Sequence, residues 1–328
     1  MQKGNKNKIP YFTGIIKKLA PKVGAKILIE REWGTAFQIV YKNGVIRSFF
    51  NHYLDLNSLA SAEVSGDKGY AKFFMQKKGY RVAEGTTVYS DAWARTVKSD
   101  HKIAYAIKYA KHLGYPLVVK PNSKSQGKDL YVVFSEKELV TGLKEIFKSD
   151  KVAVLERYMP GKDYRIVVLD DAVLYAYERI PLSVIGDGKH TISNLIKQKK
   201  IVLNGKSIKI DPHDKRILLR LKHQGLTLQT ILQKERKVFL LYNANLHAGA
   251  KDVDVSKKIH SDFKKIAVNL TRDMSLRICG VDLMVTRGDI THNPKKCSYY
   301  IIEINSAIGI EPAEETYLKI LKALGKKD

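Results

Sequence analysis

ICGVDLMVTRGDITHNPKKCSYYIIEIN, residues 278–305, reads as two strands joined by a polar connection. The outer runs, ICGVDLMV and YYIIEIN, are rich in β-branched and aromatic residues, the composition of strands that cover a core. RGDITHNPKKCS between them has the Gly, Asp, Asn and Pro content of a hairpin connection. Three oxygen-bearing side chains interrupt the apolar runs. Glu303 and Asn305 stand two apart, so strand alternation points both to one face, and Asp282 stands on the preceding strand. An acid among hydrophobic neighbours carries a desolvation cost that calls for a partner. Oxygen ligands from adjacent strands suit Mg²⁺, which takes a few protein oxygens and fills its octahedron with water and phosphate. The competing reading is a group of ordinary polar residues on an exposed sheet face.

Upstream of this stretch, a helical period from about Lys257 to Met274 turns Phe263, Ile266, Ala267 and Leu270 inward. Downstream, a last helix is expected near Pro312. RIVVL and AVLYAYE flank an Asp170-Asp171 turn and predict an antiparallel hairpin, while residues 186–235 read as loop and helix before KVFLLY. VAVLE (152–156) predicts a strand ending at Glu156; a Pro160-Gly161 turn follows, and Asp163 and Arg165 open the next strand. Such a link between two sheets is either a plain linker or a hinge that holds a nucleotide. PLVVK (116–120) and LYVVF (130–134) predict two more strands, the first closed by Lys120. The loop between them is rich in Ser, Gln and Gly. Its small residues would let backbone N–H groups around Gly127, with Ser123 or Ser125, approach phosphate oxygens. It lacks the GxxxxGK[ST] pattern, and a plain surface hairpin is the alternative.

Residues 101–113 place Ile103, Ala106, Ile107 and Ala110 on one helical face that Gly114 stops, and Ser135 with Glu138 makes a capping box for another helix. Residues 60–79 are helical in pattern, and Tyr80–Val88 reads as a loop or short strand. Residues 26–50 alternate like strands around an Asn43-Gly44 hairpin turn. The fold class is α+β. The expected divisions are an N-terminal region (1–97), a small strand-helix module (98–158) and a C-terminal subdomain (159–328), with no internal repeat.

The whole chain narrows the function. Its 328 residues are 44% hydrophobic and 28% charged, ordinary for a soluble globular protein. No apolar run of spanning length and no signal-peptide pattern occurs, so no membrane association is expected and the cytoplasm is the default. Cys279 and Cys297 form no CxxC pair, which gives no support to metal–thiolate chemistry or a disulfide framework. The net charge of +25 raises nucleic acid as a partner. Lysine supplies 45 of the 58 basic residues, however, and no basic block of five or six occurs, which argues against it. Most of the excess reads as solvated surface, and the remainder suits an acidic substrate. The nine histidines lack metal-ligand spacing, Cys279 reads as buried filler, and Lys124 and Lys128 read as solvated lysines near the phosphate loop.

In order, a lysine-ended strand with a phosphate loop, a Glu hinge, then an Asp and a Glu-x-Asn, these elements resemble the signature of ATP-grasp enzymes. LERYMPGKDYRIVVLDD, ERIP, GDGKHTISNLI, GLTL, YNANLHAGA, GVDLMV and IIEINSAIG further resemble the ATP-grasp region of cyanophycin synthetases and bifunctional glutathione synthetases, over roughly Ala60 to Gly309. The resemblance implies two α+β subdomains that sandwich ATP, preceded by a short N-terminal domain. Lys68 and Lys120 match the two nucleotide-contacting lysines. Glu156 and Tyr158, with Arg157 between them, match the hinge at adenine, and Asp163 matches the acid at the ribose. Asp282, Glu303 and Asn305 match the ligands of Mg²⁺, with two ions implied. Arg179 and Asn245 match positions near the transferred phosphate and the acceptor.

The reaction so implied activates a carboxylate as an acyl phosphate, and an amine then displaces phosphate to give an amide, ADP and Pi. The middle module would close as a lid against water. The substrates implied are small-molecule or peptide carboxylates and amines, in a stand-alone ligase that forms homo-oligomers as relatives do. Three departures bear on acceptor choice. The loop reads SQGKDL where relatives carry a second glycine, NANLHAGA has one glycine of the usual pair, and NSAIG lacks the proline before glycine. A basic nucleic-acid-binding protein with a relict ATP site, and an ATP-grasp kinase, are the rival readings.

Overall fold

Alternation builds the first layer. Helix α1 (Tyr11–Leu19) precedes an antiparallel sheet of β1 (Ala25–Ile29), β2 (Ala36–Tyr41) and β3 (Ile46–Phe50). Phe37, Ile39, Tyr41 and Phe49 point into a core with Phe12 and Leu19, while Gln38, Val40, Ser48 and Phe50 face out. The Asn43-Gly44 turn closes β2 on β3 with one residue more than a two-residue hairpin. Tyr41 N–H donates to the Val45 carbonyl, and Gly44 takes φ 85°, the left-handed position that ends a three-residue loop. The structure, a computed structural model, describes residues 9–51, 53–124, 129–203, 206–245, 248–308 and 314–326.

The helical run expected over 60–79 is broken in two. Helices α2 (Leu59–Gly66) and α3 (Lys68–Lys77) meet at Asp67, whose carboxylate caps α3 by accepting the Tyr70 N–H. Next comes β4 (Gly85–Tyr89), then α4 (Asp91–Thr96), α5 (Ile103–Leu113), β5 (Leu117–Pro121), β6 (Tyr131–Val133), α6 (Glu136–Ile146) and β7 (Val152–Arg157). The four strands form one antiparallel sheet in the order β4-β7-β5-β6. Ala106 and Ala110 of α5 and Leu139, Leu143 and Ile146 of α6 cover it, packing on Leu117, Val119 and Leu155. The division expected at residue 98 falls inside this unit, because β4 pairs with β7 from Gly85 opposite Glu156 to Tyr89 opposite Val152. Ser135 caps α6 as expected, but the Glu138 carboxylate reaches back to the Phe134 N–H.

The second half opens with β8 (Lys162–Leu169) and β9 (Ala172–Ile180), the expected hairpin. Then follow β10 (Ser183–Ile185), α7 (Ile192–Gln198), β11 (Ile201–Leu203), β12 (Lys206–Ile208), α8 (Lys215–Lys222) and β13 (Lys237–Phe239). This insertion keeps its own core, in which Val184, Ile192, Ile196, Ile217, Leu221 and Leu240 meet. The expected 159–328 subdomain therefore contains two packing units. The strands of the insertion are three residues long, too short for alternation to show among helical patterns.

The chain ends with β14 (Lys251–Asp254), α9 (Ser261–Asp273), β15 (Ile278–Arg287), β16 (Ser298–Asn305) and α10 (Glu314–Leu324). One antiparallel sheet runs β14-β9-β8-β15-β16. Phe263, Ala267 and Leu270 of α9 pack on one of its faces together with Ala71 and Met75 of α3. Helix α10 closes the amino-terminal layer: the Tyr41 hydroxyl, the Asn43 amide and the Arg47 guanidinium donate to the carbonyls of Leu321, Gly325 and Leu324. No helix among the described residues is long and apolar enough to cross a membrane.

Candidate active site

Residues directly opposite on neighbouring strands share a face. Register therefore assembles a charged row across the large sheet, running Asp254, Tyr177, Arg165, Asp282, Glu303. Beside it lie Asp252, Arg179 and Asp163 on one flank, and Gly280 and Asn305 on the other. Asp282, 2% exposed, is the fixed point. Arg165 grips it with both prongs of its guanidinium, Nε to Oδ1 at 2.6 Å and Nη2 to Oδ2 at 2.8 Å. Arg179 Nη2 lies 3.0 Å from Asp282 Oδ2 and 2.6 Å from Asp163 Oδ1, so it bridges the two acids. Burial alone would push the Asp282 carboxyl up, but the two guanidinium groups hold it at about 2. Asp163 goes the other way: burial, aided by the nearby Asp282 charge, outweighs Arg179 and pushes it up to about 6.

A bulge next to Asp282 skips Ile302, so Glu303 stands directly opposite Asp282. Asn305 Nδ2 lies 3.5 Å from Asp282 Oδ2 and 3.4 Å from Glu303 Oε1. The three expected metal ligands thus converge. The donor set fits a hard cation: two carboxylates meet at one amide, and exchanging the amide's N and O turns its oxygen to the same point. Glu303 forms no ion pair among the described residues, unlike Asp282.

A second charged cluster comes from α3, β5 and β7. Glu156 lies at the inward position near the end of β7, and each of its oxygens takes one ammonium group. Lys120 Nζ donates to Oε1 at 2.6 Å, and Lys72 donates to Oε2. Exposures of 3%, 5% and 7% for Glu156, Lys120 and Lys72 leave no room for water to screen these pairs. Burial opposes ionisation of Glu156, yet the two ammonium groups hold it at about 2. The Lys120 ammonium is correspondingly stabilised, its burial outweighed by the Glu156 and Glu303 charges. Lys68 Nζ donates to the carbonyls of Asn122 (3.2 Å) and Lys124 (2.6 Å), and burial pushes its ammonium down. Asn122 fastens the start of α3, accepting the Gly69 N–H at 2.9 Å and donating to Asp67 at 2.6 Å. The field of Glu303 acts on both Lys68 and Lys120, so the lysine cluster and the acidic row look onto one space. Cations on one wall and oxygen ligands on the other are what a nucleotide triphosphate with its metal requires.

The remaining candidates spread out. Ser123 turns its hydroxyl and N–H to Asp150, at 2.7 and 3.0 Å, and Ser125 and Gly127 lie outside the described residues, as does Lys128. Strand alternation turns Arg157 away from Glu156: its guanidinium donates to the Leu113 carbonyl and pairs with Glu84. The Tyr158 ring meets Tyr242 edge-on, centroids 5.6 Å apart. The carbonyl of Asn245 accepts the N–H groups of Ala248 and Ala250 in a turn. The sequence reading gave no site role to two side chains, Lys72 and Arg165, although it set Arg165 beside Asp163 on the strand after the hinge. Both were legible. Lys72 follows Lys68 by four residues, one helical turn along the same face, and Arg165 follows Asp163 by two on a strand. The carboxylate of Glu156, expected at adenine, is committed to its two lysines.

The sequence matches the RimK-like ATP-grasp domain over residues 235–323 and the D-ala D-ala ligase C-terminus over residues 74–199. It is 33% identical over 209 residues to the glutathione biosynthesis bifunctional protein GshAB of Enterococcus faecalis, covering 59% of this chain and 27% of that protein. The corresponding Pasteurella multocida protein is 29% identical over 259 residues, covering 76% of this chain and 33% of that one. Cyanophycin synthetase of Crocosphaera subtropica is 29% identical over 265 residues, covering 77% and 28%. The chain thus spans about a third or less of the length of these relatives. The crystal structure of a bifunctional glutathione synthetase from Pasteurella multocida shares the fold, with a TM-score of 0.59 at 23% identity over 96% of this chain and 43% of that one. The second match takes in Lys120, Glu156, Asp163, Arg165 and Arg179 and the first takes in Asp282, Glu303 and Asn305, while Lys68 and Lys72 precede both; in these stretches and in its fold the chain is similar to ATP-grasp enzymes.

Proposed function

We propose that the chain is an ATP-dependent carboxylate–amine ligase that releases ADP and phosphate. The observation that carries this reading is that Lys68 and Lys120 both stand in the field of Glu303, which lies beside Asp282 and Asn305. In this reading the lysines hold the phosphate oxygens, and Asp282, Glu303 and Asn305 would hold Mg²⁺, which would supply positive charge beside the transferred phosphoryl group. A substrate carboxylate oxygen attacks the γ-phosphorus, the bond to the ADP oxygen breaks, and an acyl phosphate forms. An amine then attacks the acyl carbon, the C–O bond to phosphate breaks, and the ammonium proton is lost. Arg179, which bridges Asp163 and Asp282, stands where a guanidinium would stabilise the phosphoryl group in flight. The four-stranded unit with α5 and α6 acts as the lid. Tyr158 faces the base, Asp163 the ribose and Asn245 the acceptor.

The acidic-substrate reading rests on the charge of +25. The cytoplasm, which supplies ATP and keeps Cys279 and Cys297 reduced, is the compartment that suits both reactants and thiols. The test is ADP release with Mg²⁺ and pooled carboxylates (amino acids, dipeptides, short polyglutamate), with and without pooled amines, beside Glu303→Gln. Release that requires both pools and is lost in the variant supports the ligase. Release with the carboxylate or another acceptor alone, yielding a stable phosphorylated product, replaces it with a kinase.

A further inference from the structure

The four-stranded unit and the insertion keep separate hydrophobic cores, yet their outer helices lie side by side. Glu138 and Glu145 stand two turns apart on α6, and Lys215 and Lys222 stand two turns apart on α8. The pairing is crossed, so the helices run antiparallel: Glu138 Oε1 meets Lys222 Nζ at 3.2 Å, and Glu145 Oε2 meets Lys215 Nζ at 3.5 Å. The Glu145–Lys215 pair is open to solvent at its lysine and holds little.

The other end is different, because Glu138 begins a relay that crosses from one unit to the other. Its two oxygens lie 3.2 and 3.1 Å from Nε2 of His223, whose side chain is 8% exposed. On the far edge of that ring, Nδ1 lies 2.9 Å from the Tyr242 hydroxyl. A hydroxyl both donates and accepts, so with Nε2–H donating to the carboxylate the Tyr242 bond forms whether or not Nδ1 carries a proton. Burial opposes ionisation of Glu138, but the Phe134 N–H, His223 and Lys222 hold its carboxyl below the usual range. The Phe134 ring covers the relay from the four-stranded unit, 4.2 Å from the His223 ring, and Arg220 lies 3.9 Å over the Tyr242 ring. Tyr242 in turn meets Tyr158 of the hinge. Gln224 fastens the end of α8 to the insertion by donating to the Phe239 carbonyl at 2.9 Å.

A joint between two complete cores, made of polar bonds and a ring that is 42% exposed, exchanges its bonds for water when it opens. A shared apolar core would have to expose its whole surface, so this joint is of the separable kind. We infer that His223 is a positioning residue: through Glu138 and Tyr242 it seats the four-stranded unit on the insertion, in the position that retains nucleotide. The inference rests on reading that unit as a lid over ATP.

Spin labels at Lys144→Cys on α6 and Lys197→Cys on α7, both exposed positions, report the separation of the two units, while Cys279 and Cys297 are buried and stay unlabelled. Double electron–electron resonance on the full chain without nucleotide should give one narrow distance. His223→Ala and, from the side of the lid, Phe134→Ala should each add a longer population. Phe134 belongs to neither core, so its variant decides the matter if His223→Ala folds poorly. Both should release methylanthraniloyl-ADP with Mg²⁺ at least about tenfold faster than the parent. His223→Gln, whose amide can still donate to Glu138, should release it more slowly than His223→Ala, and Lys215→Ala should change release by less than about twofold. A distance that stays narrow in both variants, or release that is unchanged in both, would overturn the inference. A parent that binds no labelled ADP while the distances still respond would instead refute the nucleotide reading and support the seating alone.

Discussion

The two charged walls hold a buried acid with two cations each, yet they use different cations. Asp282 is gripped by guanidinium groups, one of them a planar two-pronged fork. Glu156 is gripped by ammonium groups, one on each oxygen. A fork fixes direction as well as charge, whereas an ammonium is a compact point charge on a flexible stem. The Arg wall therefore suits a place where geometry is read, beside the oxygen ligands. The Lys wall suits a place where charge alone is needed, such as a polyphosphate. Glu303 differs from both acids because it forms no ion pair among the described residues, which leaves it open to a ligand.

The largest effect is expected where the fork is lost. Arg165→Met leaves Asp282 buried with Arg179 alone and should cost about 3–5 kcal/mol of unfolding free energy in denaturant. Arg165→Lys should recover only part of this; full recovery would break the distinction between fork and point charge. On the other wall, Lys72→Met should cost about 2–4 kcal/mol. Lys72→Met combined with Glu156→Gln should cost less than the sum of the two single changes in the same assay, since no unpaired carboxylate remains. Glu303→Gln should lower ADP release at least about 100-fold, roughly 2.7 kcal/mol in the barrier, and change stability by less than about 1 kcal/mol. Comparable losses of stability and activity would instead make Glu303 structural.

The smallest effect separates the acids by pH. Glu156 and Asp282 are depressed to about 2, so their contribution to stability is full above their ordinary values near 4 and is lost as pH falls toward 2. Asp163 is raised to about 6, so folding takes up its proton, and its contribution is largest below about 4 and fades as pH rises through 6. Asp163→Asn should remove a decline in stability of about 2 kcal/mol between pH 4 and 6 and leave the acid limb in place. An unchanged profile would mean that Arg179 keeps Asp163 ionised throughout.

β2 was legible by alternation, and β8 and β16 by runs of β-branched and aromatic residues. The closeness of Glu303 and Asn305 was legible because they share strand parity, although the bulge that brings Glu303 opposite Asp282 leaves no sequence mark. The break at Asp67 was less visible, since the apolar period continues across it and only the cap divides α2 from α3. The pairing of β4 with β7 joins residues far apart in sequence, and local pattern carries no information about such partners. The same holds for Glu156. Its position on a strand was readable, but its two lysines come from α3 and β5, and only the assembled sheet shows that they occupy its carboxylate.

The contact between the first sheet and the last helix has a consequence for synthesis. Phe12, Leu19 and Phe37 share their core with Tyr317, Ile320 and Leu324, and the hydrogen bonds of Tyr41, Asn43 and Arg47 end on carbonyls of that carboxyl-terminal stretch. A chain leaving the ribosome therefore exposes this apolar face of β1 to β3 until the long stretch between β3 and α10 has been translated. At about 5–20 residues per second that wait lasts tens of seconds, a window in which chaperones or other nascent chains meet the uncovered surface.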